Sequence, residues 1–484
     1  MKLEYKWIVG IVFVFGIFTE LLDTTITNVA LPTLADEFSA STTTIQWVVT
    51  AYLLTLAVFI PVSGWAGDRF GTKRVFVCAL ALFTLSSFLC SMAWNIESLI
   101  AFRALQGVGG GMVTPVGTAM LFRAFPPAER AQAGALLTIP LVVAPASGPV
   151  VGGYLVEFQS WHWIFWINVP IGILGLLFAA IFLREEKQEH AGRLDVPGFI
   201  LSGAGLAALL YALAEAGSRG FADGRVLLFG LTGLALMFSF AFVELRTPQP
   251  MIDVRLLGNK LFRQTNMVQI VGFSGLMGAL FLLPLLLQAE MGLSPFQSGL
   301  TTFPQAIGVV TMSQVAGRLY GRVGPRRMMM AGTFGVMLAT LCFLAVDLET
   351  NQWWIRLIML FRGMSFALML VSLQTATYAT IAPQDTGRAS AIYNAGRQVA
   401  ASFGVALLAT VLTNRLSHHG AELGDAATRH GALLAFHEAF AVAAFLAGIG
   451  ILMAALVDDR EAAGTMRPRR VAAPAEEALA TGGD

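Results

Sequence analysis

Polar residues fall mainly in short breaks between long apolar runs. Between Trp7 and residue 457 there are fourteen such runs, near 7–30, 44–64, 74–93, 98–121, 132–155, 164–183, 197–216, 226–244, 264–288, 295–319, 328–346, 354–381, 388–412 and 434–457. Each holds about 20 mostly apolar residues, the length that crosses a hydrocarbon core as a helix. Lipid offers the backbone no hydrogen-bond partner, so helices are the predicted element throughout. The seventh run, rich in Gly and Ala, and the thirteenth, with Asn394 and Arg397, are the weakest of the fourteen. The first run passes into the polar stretch Glu20–Asn28 with no small-residue cleavage site, so it is expected to remain as span 1.

Composition places the chain in a bilayer. Of its 484 residues, 56% are hydrophobic and 13% charged, against about 25% charged in a soluble domain. A net charge of +1 argues against a nucleic-acid surface. Cys78, Cys90 and Cys342 all lie inside apolar runs, so no disulfide framework is expected. Orientation follows from the basic residues. With both termini in the cytoplasm, 23 of the 31 Lys and Arg fall on the cytoplasmic side, 5 fall outside and 3 lie within spans. No GxxxxGK[ST] phosphate loop, HExxH or zinc-spaced Cys/His set occurs, which argues against ATP hydrolysis and metal chemistry.

The chain contains a repeat. After span 2 it reads Gly64-WAG-Asp68-Arg69-F-Gly71-T-Lys73-Arg74, and after span 10 Gly317-RLY-Gly321-Arg322-V-Gly324-P-Arg326-Arg327, an offset of 253 residues. Arg103 in span 4 and Arg362 in span 12 are similarly placed within their halves. Residues 1–190 (spans 1–6) and 264–457 (spans 9–14) are therefore expected to form two six-helix bundles. Spans 7–8 (191–245) are an insertion, 246–263 a cytoplasmic amphipathic helix, and 458–484 a disordered cytoplasmic tail. Duplicated helical halves with a site at their interface are a transporter architecture.

Charges inside spans mark candidate chemistry. Glu20 and Asp23 stand out in span 1, at roughly 2.5–3.5 kcal/mol each on insertion scales. Gly16, Glu20, Asp23, Thr24 and Thr27 share one helical stripe, which must face a wet cavity or another helix. Carboxylates in such a setting can bind and release protons. Arg103 and Asp23 lie at similar depths, roughly 8 and 10 Å below the outer ends of their spans. Since an unpaired buried charge is expensive, Arg103 is expected to contact Asp23 or Glu20. Gly64 and Gly71 permit a tight turn, Asp68 can accept bonds from a helix N-terminus of the other half, and Arg69, Lys73 and Arg74 face headgroups or acids. Gly148 and Gly152, four apart, let another helix approach, while Pro149 removes a backbone bond and Gly153 follows. Gln106, Gly107, Arg362, Asn394 and Arg397 are candidates for a cavity or an interhelical network. His418, His419, His430 and His437 are expected to be solvated.

Four signatures, LDTTITNVALP (22–32), the loop after span 2, RALQGVGGG (103–111) and GPVVGG (148–153), resemble the major facilitator superfamily. WHWIFWINVP (161–170) and the two extra spans resemble its fourteen-span drug:proton antiporter group, the EmrB/QacA type. The resemblance implies an all-α major facilitator fold with fourteen spans in a bacterial inner membrane, with a cavity lined by spans 1, 4, 9 and 12. It also implies that Arg103 serves proton coupling, that the 64–74 loop is an inner latch, and that 148–153 is an antiporter signature. The expected activity is proton-driven export of lipophilic, cationic compounds, with protons as the coupling ion and no cofactor. A dedicated exporter of a metabolite, siderophore or lipid is the alternative. Membrane lipids are the expected surroundings, and nothing in the sequence encodes a cell-envelope accessory partner.

Overall fold

The computed structural model describes residues 4–40, 42–187, 194–247 and 250–466. The described residues are helical, without a strand. The first half comprises α1 (Tyr5–Glu37), α2 (Thr42–Phe70), α3 (Thr72–Ser91), α4 (Ile96–Ala124), α5 (Arg130–Phe158), α6 (His162–Trp166) and α7 (Asn168–Phe182). Next come α8 (Val196–Arg219) and α9 (Gly224–Arg246). The second half comprises α10 (Lys260–Leu285, continued by a π-helical turn Leu286–Glu290), α11 (Pro295–Thr302), α12 (Pro304–Val323), α13 (Pro325–Cys342), α14 (Gln352–Thr377), α15 (Thr386–His418) and α16 (Arg429–Ala455). A short α17 (Ala463–Met466) closes the described chain.

Among the described residues, twelve segments are long and apolar enough to cross a membrane. α4 and the α11–α12 pair, read from sequence as spans 4 and 10, are not among them. Their polarity has a structural cause. α4 is wedged between α2 and α3 and buries Arg103, Gln106 and a run of glycines in protein rather than lipid. α12 carries Gln305, Ser313 and Arg322 and packs on α14 and α5.

The repeat extends through whole helices. Adding 253 to the bounds of α2 gives 295–323, the span of α11 with α12, and the same shift carries α1, α3, α4 and α5 onto α10, α13, α14 and α15. The halves meet where α2 packs on α15 and where α5 packs on α11, α12 and α14. Because α5 corresponds to α15 and α2 to α12, the two main seams repeat one contact. Gly71 and Gly324 match in conformation as well. Both start a helix at positive φ (98° and 87°), which favours glycine. The helix start after each is capped by an acid: Lys73 N donates to Glu185 Oε1 at 3.1 Å, and Arg326 N to Asp459 Oδ1 at 2.8 Å.

That second cap corrects the expected disorder of the tail. Residues 458–466 are folded. Ala462 is buried, and the hydroxyls of Thr465 and Tyr320 are bonded at 3.0 Å. Residues 467–484 lie outside the described residues. The linker 246–263 also differs from the helix expected there. Met251 and Ile252 are buried beside Val62, Phe240 and Ala391, and Val254–Gly258 forms one 3-10 stretch. Asp253 and Asn259 each cap a new start.

The α8–α9 pair packs outside the first seam. α8 lies on both α2 and α15, and Thr410 Oγ1 donates to Ala216 O at 2.9 Å. α9 exposes Leu231, Phe238 and Phe242, as a lipid-facing helix would.

Tight backbone contacts make glycine obligatory at several positions in the second half, Gly404 among them. A side chain at Gly404 would strike Ser274 O where α10 and α15 cross, whereas one at Gly153 would meet nothing within 4 Å. Gly404→Val should therefore destabilise the protein by roughly 1–3 kcal/mol through overpacking. Thermal unfolding in detergent should show a clearly lower midpoint for Gly404→Val and none of that loss for Gly153→Val.

Candidate functional site

Five helices converge on Asp23. Its Oδ2 receives Arg103 Nη1 at 2.5 Å, and its Oδ1 receives Gln106 Nε2 at 3.0 Å and Asn168 Nδ2 at 2.8 Å. Arg103 also donates from Nε to Val48 O at 3.1 Å and from Nη1 to Gln106 Oε1 at 2.7 Å. Its guanidinium lies over the Tyr52 ring, 4.2 Å from the centroid. Ser87 Oγ accepts from both Gln106 and Asn168, at 3.2 and 3.1 Å. Asp23 and Arg103 have no solvent exposure. Of the two acids open as partners for Arg103, the structure selects Asp23.

Glu20 has a different setting. Thr114 Oγ1 donates to its Oε2 at 2.5 Å, and it has no ion-pair partner among the described residues. Across the interface between the halves, Arg397 on α15 lies within its electrostatic reach. The Thr24 and Thr27 hydroxyls donate to the carbonyls of Glu20 and Asp23, at 3.1 and 2.7 Å, so both satisfy their own helix. Gly107 lets α4 lie against the Tyr52 carbonyl and Thr55 on α2.

On the face that carries the N-terminus, the halves are closed against each other. Asp68 Oδ1 pairs with Arg123 Nη2 at 2.9 Å, and Arg123 Nε donates to Pro383 O of the second half at 3.0 Å. Gly64 lies so close to Gly387 that a Cβ would sit 2.9 Å from its carbonyl. Asp68 stands beside the start of α15, but its direct partner is Arg123 of its own half, which sequence reasoning missed. Arg69 is exposed. Lys73 donates to Ala180 O at 2.7 Å, and Arg74 reaches Glu185 at 3.5 Å, both within the first half. Three further links cross between halves: Arg130 to Tyr378 O, Thr375 to Arg130 O at 3.4 Å, and Ser390 to Pro115 O at 2.8 Å.

In the 148–153 motif, Gly148 and Gly152 face Thr25, Ile26 and Val29 of α1, so their spacing admits that helix, whereas Gly153 faces open space. α5 continues through Pro149, whose side chain is outside the described set. Arg362 is buried with no carboxylate partner among the described residues. Leu276 O and Gln305 Oε1 accept from it at 3.3 and 3.4 Å. Asn394 donates to Ser390 O at 2.9 Å within α15.

Asn168, Ser87 and Thr114 were also missed. Arg103, Gln106, Gly110 and Thr114 recur at spacings of three and four, so the stripe rule that found Glu20 would have found Thr114. Glu244 and Glu290, at helix ends, are further buried acids beyond the span 1 pair. Each secures chain rather than a cavity, through Ile252 N at 3.2 Å and Gly424 N at 3.0 Å. His437 is half-buried rather than fully solvated. It bonds Val346 O at 3.0 Å.

Duplicated helices around buried intramembrane charges, closed on one face, define a multi-pass membrane transporter. A model described as Major Facilitator Superfamily matches residues 13–405. The chain is 36% identical over 402 residues to the Multidrug resistance protein B homolog of Mycobacterium tuberculosis (strain ATCC 25618 / H37Rv), covering 82% of this chain and 74% of that one. It is 34% identical over 415 residues to the Putative multidrug resistance protein MdtD of Serratia proteamaculans (strain 568), covering 85% of each. Its fold matches a human organic anion transporter, TETRAN (TM-score 0.65, 17% identity, 93% of this chain and 99% of that one). It also matches the proton:xylose symporter XylE (0.65, 14%, 93% and 94%). The chain belongs to the major facilitator superfamily, and it is a secondary transporter rather than an ATP-hydrolysing enzyme.

The Asp23 network carries a stability prediction. Asp23→Asn leaves Arg103 buried without a counter-charge, and breaking such a pair costs roughly 3–5 kcal/mol. Thermal unfolding should show a large loss for Asp23→Asn and partial recovery when Arg103→Gln is added. Equal and additive losses would mean that the two charges do not depend on each other.

Proposed function

We propose that this protein is a proton-coupled exporter of lipophilic cations that works by alternating access in a bacterial inner membrane. On this reading the chain crosses fourteen times as two six-helix bundles plus α8–α9, with α4 and α11–α12 completing the count. Both termini are cytoplasmic, so the closed face is the inner one and the state is closed to the cytoplasm. The relatives named for multidrug resistance support the substrate class.

One observation carries the reading. Glu20 is buried among membrane helices, bonded on one oxygen and free of any ion pair among the described residues. It can therefore hold either a proton or a cationic substrate, but not both. Protonation from outside neutralises it and releases the cation; loss of that proton inside restores the attraction. Asp23, saturated by Arg103, Gln106 and Asn168, serves as the coupling charge whose pairing shifts with the conformational change. The Asp68–Arg123–Pro383 chain is the inner latch that must part for loading. One proton crossing 100 mV supplies about 2.3 kcal/mol. A dedicated exporter of an anionic metabolite is the second reading, favoured by Arg362 and Arg397, neither of which is paired with a carboxylate among the described residues.

Proteoliposomes with an imposed pH gradient test the assignment. Wild type should move ethidium against its gradient, and Glu20→Gln and Asp23→Asn should each reduce that flux at least tenfold. Undiminished gradient-driven flux in Glu20→Gln would remove Glu20 from the mechanism.

A further inference from the structure

The two seams close their inner ends with different materials. At the first, Gly64 of α2 lies against Gly387 near the start of α15, and the Asp68–Arg123–Pro383 chain reaches the 3-10 turn Pro383–Asp385 ahead of that helix. At the second, the repeat sets Gly317 of α12 against Ala131 near the start of α5, where a Cβ would sit 3.4 Å from the Ala131 carbonyl. Gly321 stands there in place of Asp68, so α12 offers no carboxylate at that position. Another part of the chain fills it. A Cβ at Gly321 would lie 3.2 Å from the carbonyl oxygen of Met466, the last described residue.

Residues 458–466 are tied to the second half by polar groups. Asp459 Oδ1 accepts from Arg326 N at 2.8 Å, and Tyr320 bonds Thr465 at 3.0 Å between two buried side chains. Lys260 Nζ lies 3.4 Å from Glu461 Oε1. Thr465 Oγ1 also donates to Ala462 O at 2.7 Å, which closes the short α17 on itself. Toward the first half the segment offers an apolar side chain. Met466 packs with Ala131 and Ala135 of α5, beside Tyr320 and Val371. α17 also lies on the 3-10 turn Pro127–Glu129 ahead of α5. That turn belongs to the first half, where Lys6 holds Glu129 at 2.7 Å. The segment therefore bridges the inner end of the second seam.

We propose that residues 458–466 form a strap that takes the place of the acid replaced by Gly321. Fixed to α12 and α13, it holds α5 through Met466 and must leave it each time the inner face opens. This rests on alternating access, the part of the export reading that needs an inner face able to open, and on no particular substrate. The anchoring sets the breaking point. Hydrogen bonds and a charge pair hold the strap to the second half, whereas parting Met466 from α5 costs apolar burial and strands no polar group. A flexible thioether also suits a surface that repacks at every turnover. Each seam then has an inner clamp of its own, a carboxylate–arginine chain at the first and a strap from beyond α16 at the second.

Cysteine chemistry in inverted membrane vesicles tests the strap, with Cys78, Cys90 and Cys342 replaced by Ser. Ala131→Cys places a thiol at the buried seam under Met466. Thr465→Val, which removes the partner of Tyr320, and Met466→Ser, which removes the apolar contact, should each raise labelling of that thiol by a charged maleimide about fivefold. Leu452→Ala, on the exposed face of α16, should leave the rate unchanged. Unchanged labelling in both strap variants overturns the proposal. A bis-maleimide tie from Gly464→Cys to Pro127→Cys should abolish proton-driven ethidium export, whereas a tie from Gly464→Cys to Arg322→Cys should preserve it. Export that survives the first tie overturns the proposal, and loss under both ties overturns the fixed seat on α12. If wild type moves no ethidium, the export reading falls and the labelling comparison still decides the strap.

Discussion

The ion pair between Asp23 and Arg103 is the constraint on which the first half depends. Neither charge could remain in the membrane without the other, because each alone would be an uncompensated buried ion. Pairing them also requires satisfying the remaining donors and acceptors, and the half is built to do so. α2 offers the Val48 carbonyl, α3 the Ser87 hydroxyl, α4 Gln106 and α7 Asn168. The pair thus fixes the mutual rotation of five helices more strictly than apolar packing in lipid could, since lipid tails compete equally for apolar faces. It also explains why α4 is too polar to rank with the most apolar spans. A helix that brings an arginine and a glutamine to the centre of a bundle is surrounded by protein.

The second half keeps the scaffold and discards that charge. Shifting Asp23 by 253 residues arrives at Leu276, whose carbonyl accepts from Arg362, but the same shift carries Arg103 to Arg356, so Arg362 is not its counterpart in the repeat. Likewise Gly321 stands where the first copy has Asp68, and no ion pair forms there among the described residues. Duplication has preserved helix bounds, capping acids and seam contacts while confining the buried Asp–Arg pair to one copy. The first half thus carries the buried ion pair, while the second carries Arg362 on backbone and amide acceptors.

Much of this was legible because the bilayer permits few solutions. Apolar run length gave nearly every helix, the 253-residue offset gave the correspondence between halves, stripe geometry isolated Glu20 and Asp23, and depth within the span pointed from Arg103 to them. What stayed hidden depends on tertiary proximity. The linker and the start of the tail are polar enough to read as a surface helix and a disordered end, yet Met251, Ile252 and Ala462 are buried by residues distant in sequence. The 64–74 loop lies where the two halves meet, but Arg123 looked like an ordinary flanking basic residue. Its role appears only when Asp68 and the Pro383 carbonyl are seen on either side of it. Glu290 was overlooked because its partner is a backbone amide in a loop with no pattern of its own.

The inserted pair α8–α9 breaks the symmetry of the seams. One seam, where α5 meets α11, α12 and α14, has no counterpart of α8 packed over it, whereas α8 spans the other from α2 to α15. Its hold is specific on both sides. Gly203 rests on Val58 of α2, and the Ala216 carbonyl accepts from Thr410 of α15. Any rotation that parts α2 from α15 must strip α8 from one of them, exposing a backbone carbonyl or an apolar contact that has no equivalent at the second seam. Equal rocking at both seams is therefore not equally costly. The added helices therefore tie α2 to α15 at one seam only, and the α5 seam carries no such helix pair among the described residues.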